Sequence, residues 1–272
     1  MVERKFYSNG KKIHWKSFDH DNAIWYEDEI AFSEISNKSY SEKSDSVRDI
    51  LIEILHEAYL KNPTFIDNSE GYEITTNLTF PKFWGLGTSS TLLNNIAQWL
   101  NIDAFKLLQN SFGGSGYDIA CAQNDFPIIY EIHNQDPTVV NAHFDPPFAE
   151  NLYFVYLNRK QSSKAAIRSY YQNKPVHLEN IIAKANQLTM QIATADNLKS
   201  FGRAIENHEA LLSSILEMKT VKEAFFADFS GSIKSLGGWG GDFILVASEE
   251  NPTSYFGELG FTTIIPFREM IL

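Results

Sequence analysis

The chain has 272 residues, of which 43% are apolar and 21% are charged, and its formal net charge is −11. This length and composition predict one large or two small globular domains with a substantial core, and they exclude disorder as the default state. The acidic charge argues against nonspecific nucleic-acid binding, because a phosphate backbone requires a basic surface.

The sequence contains no recognisable export signal and no apparent membrane segment. Residues 1–5 are polar and charged and do not resemble a signal peptide, and no apolar run reaches the length of a membrane span. The single cysteine, Cys121, excludes an internal disulfide and a cysteine-rich zinc site, and the small residues around it predict a place in the core. We predict a reduced, cytoplasmic protein with no nucleic-acid or membrane partner, present as a monomer or a homodimer.

Strands and one helix are predicted in the first half of the chain. β-Branched and aromatic residues cluster in predicted strands at residues 24–32, 72–78, 127–132 and 152–157. Between Val47 and Ala58 the apolar residues recur at spacings of three and four. This spacing predicts an amphipathic helix that starts at Ser44 or Ser46.

Residues 162–229 are predicted to be mostly helical before strands return. The predicted helices span residues 163–171, 178–194, 199–215 and 221–229, and the predicted strands span residues 243–247 and 261–266. Mixed elements in this order predict an α+β protein of two lobes. The lobes are predicted at residues 1–150 and 151–272, with the boundary near residues 149–151.

The first of three glycine-rich segments reads Trp-Gly-Leu-Gly-Thr-Ser-Ser-Thr, at residues 84–91. It leads directly into apolar positions at helical spacing, so its glycines are predicted to lie at a helix N-terminus. There the unpaired N–H groups and the positive end of the helix dipole favour a phosphate, and the hydroxyls of Thr88, Ser89 and Ser90 can add donors or a magnesium ligand. The sequence leaves open that Thr88 or Ser89 only caps the helix.

Other nucleotide-binding patterns are absent from the sequence. There is no Gly-x-x-x-x-Gly-Lys-Ser/Thr motif, and none of the glycine-rich segments matches Gly-x-Gly-x-x-Gly after a strand. The His-Arg-Asp and Asp-Phe-Gly motifs of protein kinases are also missing. These absences argue against a Walker-type NTPase, a dehydrogenase and a protein kinase.

The second segment reads Gly-Gly-Ser-Gly-Tyr-Asp-Ile-Ala, at residues 113–120. Phosphoryl transfer requires a group that orients or deprotonates the acceptor, and Asp118 follows a glycine-rich turn in the way that a catalytic carboxylate would. A nearby lysine would keep this carboxylate ionised. The residues also allow simpler roles, with Asp118 as a turn or helix-cap residue and Ser115 as a cap rather than a phosphate donor.

The third segment reads Lys-Ser-Leu-Gly-Gly-Trp-Gly-Gly-Asp, at residues 234–242, and with it the three segments resemble the motifs of the GHMP small-molecule kinases. Residues 81–90 are similar to the family's second motif, Pro-x-x-x-Gly-Leu-Gly-Ser-Ser-Ala, which wraps the ATP phosphates. Residues 114–118 resemble the stretch that carries the catalytic aspartate of the mevalonate-pathway branch, and Gly-Tyr-Asp-Ile-Ala is close to the signature of a bacterial subgroup. The third segment resembles the C-terminal motif in the form found in phosphomevalonate kinases.

The resemblance implies a two-lobed GHMP-kinase-like fold, with an N-terminal lobe similar to ribosomal protein S5 domain 2 and a ferredoxin-like C-terminal lobe. It implies an ATP-dependent kinase that uses Mg²⁺, with Asp118 as the catalytic residue and Ser89 as the metal ligand. The residues implied in ATP binding are Gly85, Leu86, Gly87, Thr88, Ser89 and Ser90. Those implied near the substrate or its phosphate are Ser115, Gly116, Tyr117, Gly237, Gly238 and Gly240.

The acceptor that the resemblance implies is a small molecule, with mevalonate or phosphomevalonate of isoprenoid biosynthesis first. A sugar, homoserine and a noncatalytic role in binding a nucleotide or metabolite remain open. Residues 159–164, Arg-Lys-Gln-Ser-Ser-Lys, form either a binding segment for an acidic substrate or a solvated helix start. Positive charge for an anionic substrate is available from Lys11, Lys12, Lys82, Lys160, Lys164, Arg168 and Lys234.

The chain departs from the family pattern at two places. Residues 7–11, Tyr-Ser-Asn-Gly-Lys, resemble the opening of the first family motif and imply Lys11 as a catalytic lysine, but no Gly-Glu pair follows. We therefore expect that a segment is missing after Lys11. The acidic magnesium ligand that some members place before the aspartate is absent, because Leu107 occupies that position. Metal-ligand spacing is not found among the histidines His133, His143, His177 and His208.

Overall fold

The computed structural model describes residues 2–6, 10–38, 46–133, 136–159, 178–237 and 241–271. The described chain combines helices and strands, and the predicted α+β class is confirmed. The chain divides into two compact units. Unit 1 comprises Met1–Lys82 and Leu86–Asn141, and unit 2 comprises Phe83–Gly85 and Ala142–Leu272. The lobe boundary predicted near residues 149–151 stays a prediction.

Unit 1 contains a four-stranded sheet in the order β1-β4-β2-β3. Its strands are β1 (Val2–Phe6), β2 (Lys12–Phe18), β3 (Ile24–Ala31) and β4 (Tyr72–Asn77). β4 runs parallel to β2 and antiparallel to β1, and β2 runs antiparallel to β3. The sequence predicted β3 and β4 but not β2.

β2 begins where the sequence predicted a missing segment. Lys11 forms the turn into this strand with a φ of +41°, and Lys12 is already paired with β3. Ile13, Trp15 and Ser17 are buried and alternate with more exposed residues, so the period-two pattern of a half-buried strand is present in the sequence. The missing segment stays a prediction.

The described residues of unit 1 form the helices α1 (Phe32–Ser36), α2 (Val47–Lys61), α3 (Thr64–Asp67), α4 (Thr88–Leu100), α5 (Ala104–Ser111) and α6 (Tyr117–Ala122). α2 begins after Ser46, whose hydroxyl accepts a hydrogen bond from the amide of Asp49, and this selects Ser46 from the two predicted starts, Ser44 and Ser46. α5, which the sequence analysis did not predict, begins after Asp103, whose carboxylate accepts from the amides of Phe105 and Lys106. A short polar side chain therefore starts both helices.

α4 ends beside the start of β4. Near the end of the helix, Trp99 packs edge-on against Tyr72, the first residue of β4, with ring centroids 5.0 Å apart. The side-chain amide of Asn62, at the end of α2, donates to the carbonyl of Leu100. The apolar face of α4, which includes Leu93, is fully buried in the core of unit 1. The N-terminus of α4 therefore lies a helix length away from the start of β4, about 20 Å.

A two-stranded hairpin follows α6 in unit 1. β5 (Ile128–His133) pairs antiparallel with β6 (Asp136–Asn141), and Tyr130 lies opposite Val139. The strand predicted at residues 127–132 is confirmed. The ring of Tyr130 lies edge-on to that of Tyr117, so the hairpin contacts the beginning of α6.

Unit 2 contains an antiparallel sheet in the order β10-β7-β9-β8, with strands β7 (Leu152–Tyr156), β8 (Ser232–Ser235), β9 (Phe243–Ala247) and β10 (Ile264–Pro266). Its described helices are α7 (Leu178–Ala193), α8 (Leu198–Leu216), α9 (Val221–Phe225), α10 (Thr253–Glu258) and α11 (Phe267–Met270). The structure confirms the elements predicted at residues 152–157, 178–194, 199–215 and 243–247. The helix predicted at residues 163–171 lies outside the described residues.

The helix predicted at residues 221–229 ends early. α9 stops at Phe225, and the chain turns so that the amide of Phe229 donates to the carbonyl of Phe226. Both of these rings are buried, with centroids 5.1 and 5.2 Å from that of Phe256. Burial of the two rings against one aromatic neighbour, rather than the local helical pattern, decides where the helix ends.

The strand predicted at residues 261–266 starts late. Its first residue, Phe261, donates its amide to the carbonyl of Phe256 and closes the end of α10. β10 begins only at Ile264, which pairs with Val155 of β7. The helix end and the strand compete for the same backbone groups, because each residue offers a single amide donor.

Candidate functional site

The first glycine-rich segment ends at the N-terminus of α4. Gly87 is the N-cap residue with a left-handed φ of 72°, and no side chain caps the helix. The amide of Thr91 donates to the carbonyl of Gly87 at 3.0 Å and begins the helical hydrogen bonding. The amides of Thr88, Ser89 and Ser90 precede this bond, in the place where a helix N-terminus presents its donors. The alternative in which Thr88 or Ser89 caps the helix is therefore wrong.

Asp118 lies beside the start of α4. A β-carbon built on Gly87 would be 3.9 Å from both Cβ and Cγ of Asp118. Further along both helices, Asn94 of α4 donates to the carbonyl of Ala122 and accepts from the side chain of Gln123, which ties α4 to α6. Asp118 is exposed, so a ligand at the N-terminus of α4 has access to its carboxylate. The structure thus brings the ends of the first and second glycine-rich segments together in unit 1.

The turn that leads into α6 is tightly packed on one side. Gly116 has a φ of +80° and is the N-cap of α6. A β-carbon there would lie 2.8 Å from the ring of Phe105 and 3.1 Å from the hydroxyl of Tyr130, so only glycine fits. The hydroxyl of Ser115 accepts a hydrogen bond from the amide of Tyr117 at 3.3 Å. Ser115 therefore stabilises the turn before the helix without being its N-cap residue, and its predicted role near the substrate phosphate stays a prediction.

Two neutral groups flank Asp118 on α6. Burial, a hydrogen bond with Cys121 and the charge of Asp118 raise the pKa of Tyr117 to about 12. Desolvation and the same charge also raise the pKa of the Cys121 thiol. Neither group therefore serves as a base near neutral pH. Cys121 is exposed, and its predicted place in the core is wrong, because Ile119 and Ala120 form the buried side of α6.

In unit 2, Gly85 makes a close contact with another carboxylate. A β-carbon on Gly85 would lie 1.8 Å from Oδ2 of Asp242, and its φ of +67° also favours glycine. The neighbouring ring of Trp84 packs against that of Tyr156, with centroids 6.3 Å apart. The hydroxyl of Tyr156 donates to the carbonyl of Phe83 at 3.0 Å. These contacts attach the beginning of the first glycine-rich segment to β7.

Sequence reasoning missed the contact between Asp242 and Gly85. Burial and the charge of Asp242 raise the pKa of Tyr156, so this carboxylate and this phenol share one environment. A signal was present, because Asp242 is the last residue of the third glycine-rich segment. The contact between Gly85 and Asp242 cannot be predicted from local sequence, because the two residues are far apart in the chain.

The third glycine-rich segment begins with two residues that bind a buried carboxylate. The side chain of Glu209, on α8, is only 3% exposed. It accepts hydrogen bonds from Nζ of Lys234 at 3.0 Å and from the hydroxyl of Ser235 at 2.7 Å. The positive charge of Lys234 therefore balances Glu209 inside unit 2.

No family model and no curated protein matches the chain, but solved structures do. The Lin0012 protein from Listeria innocua is 13% identical, with 97% of this chain and 87% of that chain covered and a TM-score of 0.65. Phosphomevalonate kinase from Streptococcus pneumoniae, in complex with phosphomevalonate and AMPPNP, is 14% identical, with 97% and 88% covered and a TM-score of 0.63. Galactokinase from Lactococcus lactis, complexed with galactose, is 11% identical, with 97% and 85% covered and a TM-score of 0.59.

The chain has the GHMP-kinase fold. The resemblance stated from three short segments predicted this fold, and the fold prediction is confirmed. The GHMP-kinase fold covers nearly the whole chain, whereas the segments that pointed to it cover only a small part of the sequence.

Lys11 makes its described backbone contacts near the start of β4 and not at the start of α4. The amide of Lys11 donates to the carbonyl of Glu70, two residues before β4 begins. That is the end of β4 against which α4 finishes, through Trp99. Asp118 lies beside Gly87 at the other end of α4, a helix length of about 20 Å away. Among the described residues no contact joins Lys11 to Asp118, and the catalytic roles of both residues stay predictions.

Some of the other predicted site residues lie in the described part of the chain, and the rest lie outside it. Lys12 forms an ion pair with Glu29 at 2.6 Å, and Nζ of Lys82 lies 5.5 Å from the ring centroid of Trp25. Gly237, in unit 2, is exposed with a φ of +63°, and its predicted role stays a prediction. The predicted residues that lie outside the described part of the chain are Lys160, Lys164, Arg168, His177, Gly238 and Gly240.

The described residues do not form a metal site from protein side chains alone. Among these residues, no group of three or more His, Cys, Asp or Glu side chains is arranged to hold a metal ion. A divalent ion at the start of α4 would therefore need ligands from a bound phosphate and from water. None of the described helices combines the length and the apolar composition of a membrane span.

Proposed function

We propose that this chain is a small-molecule kinase that transfers the γ-phosphoryl group of ATP, in the presence of Mg²⁺, to a hydroxyl or phosphate acceptor. One observation carries the proposal: Asp118 lies beside Gly87, so an exposed carboxylate and the start of α4 meet in unit 1. A phosphate-binding helix terminus next to a carboxylate can orient an acceptor toward a phosphoryl group. The similarity to phosphomevalonate kinase in complex with AMPPNP supports ATP as the donor.

The N-terminus of α4 is the proposed phosphate site. The amides of Thr88, Ser89 and Ser90 and the positive end of the helix dipole attract an anion, and the hydroxyls of the same residues add donors. Residues 85–87 precede them with two glycines, which lets the backbone follow the phosphates closely. Because the chain has a net charge of −11, such local donors are needed to hold an anionic ligand.

The oxygen atoms at this place fit a magnesium ion. Hydroxyl and carboxylate oxygens are hard ligands of the kind that Mg²⁺ prefers, and Ser89 is the proposed protein ligand. Ser89 would hold the ion together with the nucleotide, and the chemistry that the ion would supply is positive charge to offset that of the phosphates. Because no larger acidic group is found in the described residues, most of its ligands would be phosphate oxygens and water.

The proposed role of Asp118 depends on the acceptor. A phosphate acceptor has a second pKa of about 6 and is largely ionised near neutrality, so Asp118 would only orient it. An alcohol must lose its proton, and Asp118 would then act as the general base. We take mevalonate or phosphomevalonate of isoprenoid biosynthesis as the acceptor, because the third glycine-rich segment resembles the form found in phosphomevalonate kinases.

A noncatalytic nucleotide-binding protein is the second candidate function. It is favoured by the position of Lys11, which lies at the other end of α4 from Asp118, and by Leu107, which stands where some family members have an acidic ligand. Such a protein would bind ATP at the same helix terminus without transferring its phosphate. Binding alone does not distinguish the two candidates, so turnover must be measured.

Two measurements on the purified chain test these functions. Calorimetric titration with ATP, in the presence of Mg²⁺ and then of EDTA, measures nucleotide binding. A coupled assay for ADP release measures turnover with mevalonate, phosphomevalonate, homoserine and galactose. ADP release that depends on one of these acceptors supports the kinase, whereas binding without turnover on any of them supports the noncatalytic protein. Failure to bind ATP would contradict both.

A further inference from the structure

We propose that the hydroxyl of Tyr130 is a positioning group, which holds the turn before α6 so that Asp118 stays beside the N-terminus of α4. The contact of Tyr130 with the turn does not depend on the proposed function, whereas its effect on phosphoryl transfer rests on that function. Tyr130 lies on β5, outside all three glycine-rich segments. A search for catalytic motifs would therefore pass over it.

Tyr130 contacts three successive residues directly before Asp118. Its hydroxyl donates a hydrogen bond to the carbonyl of Ser115. The same hydroxyl occupies the space beside Gly116, where a β-carbon would come within 3.1 Å of it. Its ring lies edge-on to that of Tyr117, with centroids 5.8 Å apart and an interplanar angle of 72°. A backbone hydrogen bond, a packing contact and a ring contact thus converge on one turn.

The turn needs an external restraint because it is built from glycines. Gly113, Gly114 and Gly116 all have positive φ values, of 71°, 118° and 80°. Glycine loses more conformational entropy on ordering than any other residue. Among the described residues, no atom beyond the chain neighbours lies within 4 Å of a β-carbon built on Gly113 or Gly114, so side-chain packing does not hold these two. The contacts of Tyr130 supply the restraint at the next residues.

The hairpin gives Tyr130 a defined place. Tyr130 is paired with Val139 in the middle of the β5–β6 ladder. Burial raises the pKa of the Tyr130 hydroxyl, so the group keeps the proton that it donates. An isolated two-stranded hairpin is only marginally stable in water, so packing of Tyr130 on the turn stabilises the hairpin and the turn together.

Tyr130→Phe removes the donor and keeps the ring, which makes it the test of the hydrogen bond. We expect kcat to fall about tenfold, the effect of losing one well-placed hydrogen bond. The Kd for ATP should stay the same, because the amides of α4 are unchanged. Tyr72→Phe is the matched control: Tyr72 also donates its hydroxyl to a main-chain carbonyl of unit 1, that of Phe65, but it lies at the other end of α4. We expect Tyr72→Phe to lower stability without lowering kcat.

Hydrogen–deuterium exchange provides a second readout that does not depend on turnover. It follows the backbone amides of residues 113–121, which include the turn that Tyr130 contacts and the amides that bond within α6. The rate at which deuterium labels these amides, at fixed pH and well below the unfolding temperature, reports opening of this part of the chain. We expect labelling to be several-fold faster in Tyr130→Phe and unchanged in Tyr72→Phe.

The two readouts separate failure of this inference from failure of the proposed function. If the wild type shows no turnover with any acceptor, the kinase proposal fails, and the labelling rates alone decide whether Tyr130 holds the turn. If the wild type is active, a lower kcat together with faster labelling in Tyr130→Phe supports the inference. An unchanged kcat in an active enzyme, or labelling equal to that of the wild type, overturns it.

Discussion

At the residue scale, Asp118 is the group whose replacement tests the proposed chemistry most directly. Asp118→Asn removes the negative charge and keeps the size of the side chain. If the chain is a kinase that acts on an alcohol, we expect kcat to fall about 10²–10⁴-fold, the usual contribution of a general base. With a phosphate acceptor, which Asp118 only orients, the fall should be smaller. The Kd for ATP, measured by calorimetry, should change little because the amides of α4 remain. Asp118→Asn with wild-type turnover would contradict the assigned role.

The control for this variant is Asp125→Asn. Asp125 is an exposed aspartate of the same unit that follows α6, so its replacement changes the net charge by the same amount. We expect turnover and ATP binding of Asp125→Asn to match those of the wild type. A loss of turnover in both variants would mean that the overall charge of unit 1, and not the carboxylate beside Gly87, is what matters.

Gly85 and Gly237 allow the cost of a clash to be separated from the cost of backbone strain. Both residues have a positive φ, of +67° and +63°, but a β-carbon on Gly85 would lie 1.8 Å from Oδ2 of Asp242. Within the described part of the chain, no atom beyond the chain neighbours lies within 4 Å of a β-carbon on Gly237. We expect Gly237→Ala to cost about 1–2 kcal/mol of unfolding free energy from strain alone. Gly85→Ala should cost clearly more, because the side chain of Asp242 must also move.

Urea denaturation of the two glycine variants checks this difference. Equal losses of unfolding free energy in Gly85→Ala and Gly237→Ala would contradict the close contact with Asp242. Restoration of the Gly85→Ala loss by adding Asp242→Ala would support it, because the second change removes the clashing carboxylate.

At the scale of elements, α8 presents two glutamates in similar surroundings but at different depths. Glu206 accepts hydrogen bonds from Lys222 of α9 and Ser232 of β8. Glu209 accepts them from Lys234 and Ser235, both of β8. The side chain of Glu206 is 46% exposed and that of Glu209 is 3% exposed. Glu209→Gln should cost about 3 kcal/mol of unfolding free energy, because it leaves the Lys234 ammonium without a buried counter-charge. Glu206→Gln should cost about 1 kcal/mol or less.

Thermal or urea unfolding of Glu209→Gln and Glu206→Gln measures the two losses of unfolding free energy. The comparison is sharp because both glutamates lie on one helix and contact the same strand, so their local helix propensities and their distances from the chain ends are nearly equal. If Glu209→Gln proved as mild as Glu206→Gln, the buried ion pair would not hold β8 against α8.

Elements were predicted correctly where their own residue pattern is long and regular, and incorrectly where contacts with distant residues set their ends. α2 and α8 were predicted because their apolar residues repeat at helical spacing over four or more turns. β2 was not predicted although Ile13, Trp15 and Ser17 alternate with more exposed residues, because the stretch also departs from the family's first motif, and the two signals conflict. α9 and β10 were predicted too long because Phe226 and Phe261 take part in packing and turn contacts that the local pattern does not contain.

At the scale of the whole molecule, acid should lower stability in two ranges of pH. Burial and, secondly, the positive charge of Lys234 lower the pKa of His208 from 6.5 to about 4. Between these values the unfolded chain binds a proton that the folded chain does not, so the free energy of unfolding decreases as the pH falls. Desolvation alone would raise the pKa of Asp28, but the hydrogen bond from Arg48 outweighs it and lowers this pKa below its usual value. The stability that the ionised Asp28 contributes is therefore lost only at still lower pH.

Urea denaturation at several pH values between 6.5 and 4 tests the first range. His208→Gln removes the titrating group, so stability should depend less on pH there than it does in the wild type. His143→Gln is the control, because it makes the same replacement at an exposed histidine. A wild-type slope in His208→Gln would contradict a buried neutral histidine.

The whole fold could be predicted from little of the sequence. Solved structures with the same fold are only 11–14% identical to the chain, yet they cover 97% of it. Such similarity survives because a fold requires apolar residues at buried positions and glycine at special backbone positions, and many sequences meet these conditions. The same tolerance explains why the acceptor cannot be predicted from the fold, since specificity depends on individual side chains.

The sequence by itself determined the features that depend on neighbouring residues. These include the glycine-rich lead into α4 and the helical patterns of α2 and α8, because helix hydrogen bonds join residues at most a few positions apart. Only the tertiary structure decided that Asp118 meets Gly87 and that Lys11 lies at the other end of α4. Such contacts join residues that are distant in the chain, and the packing of a whole core, which no short stretch of sequence contains, brings them together or keeps them apart.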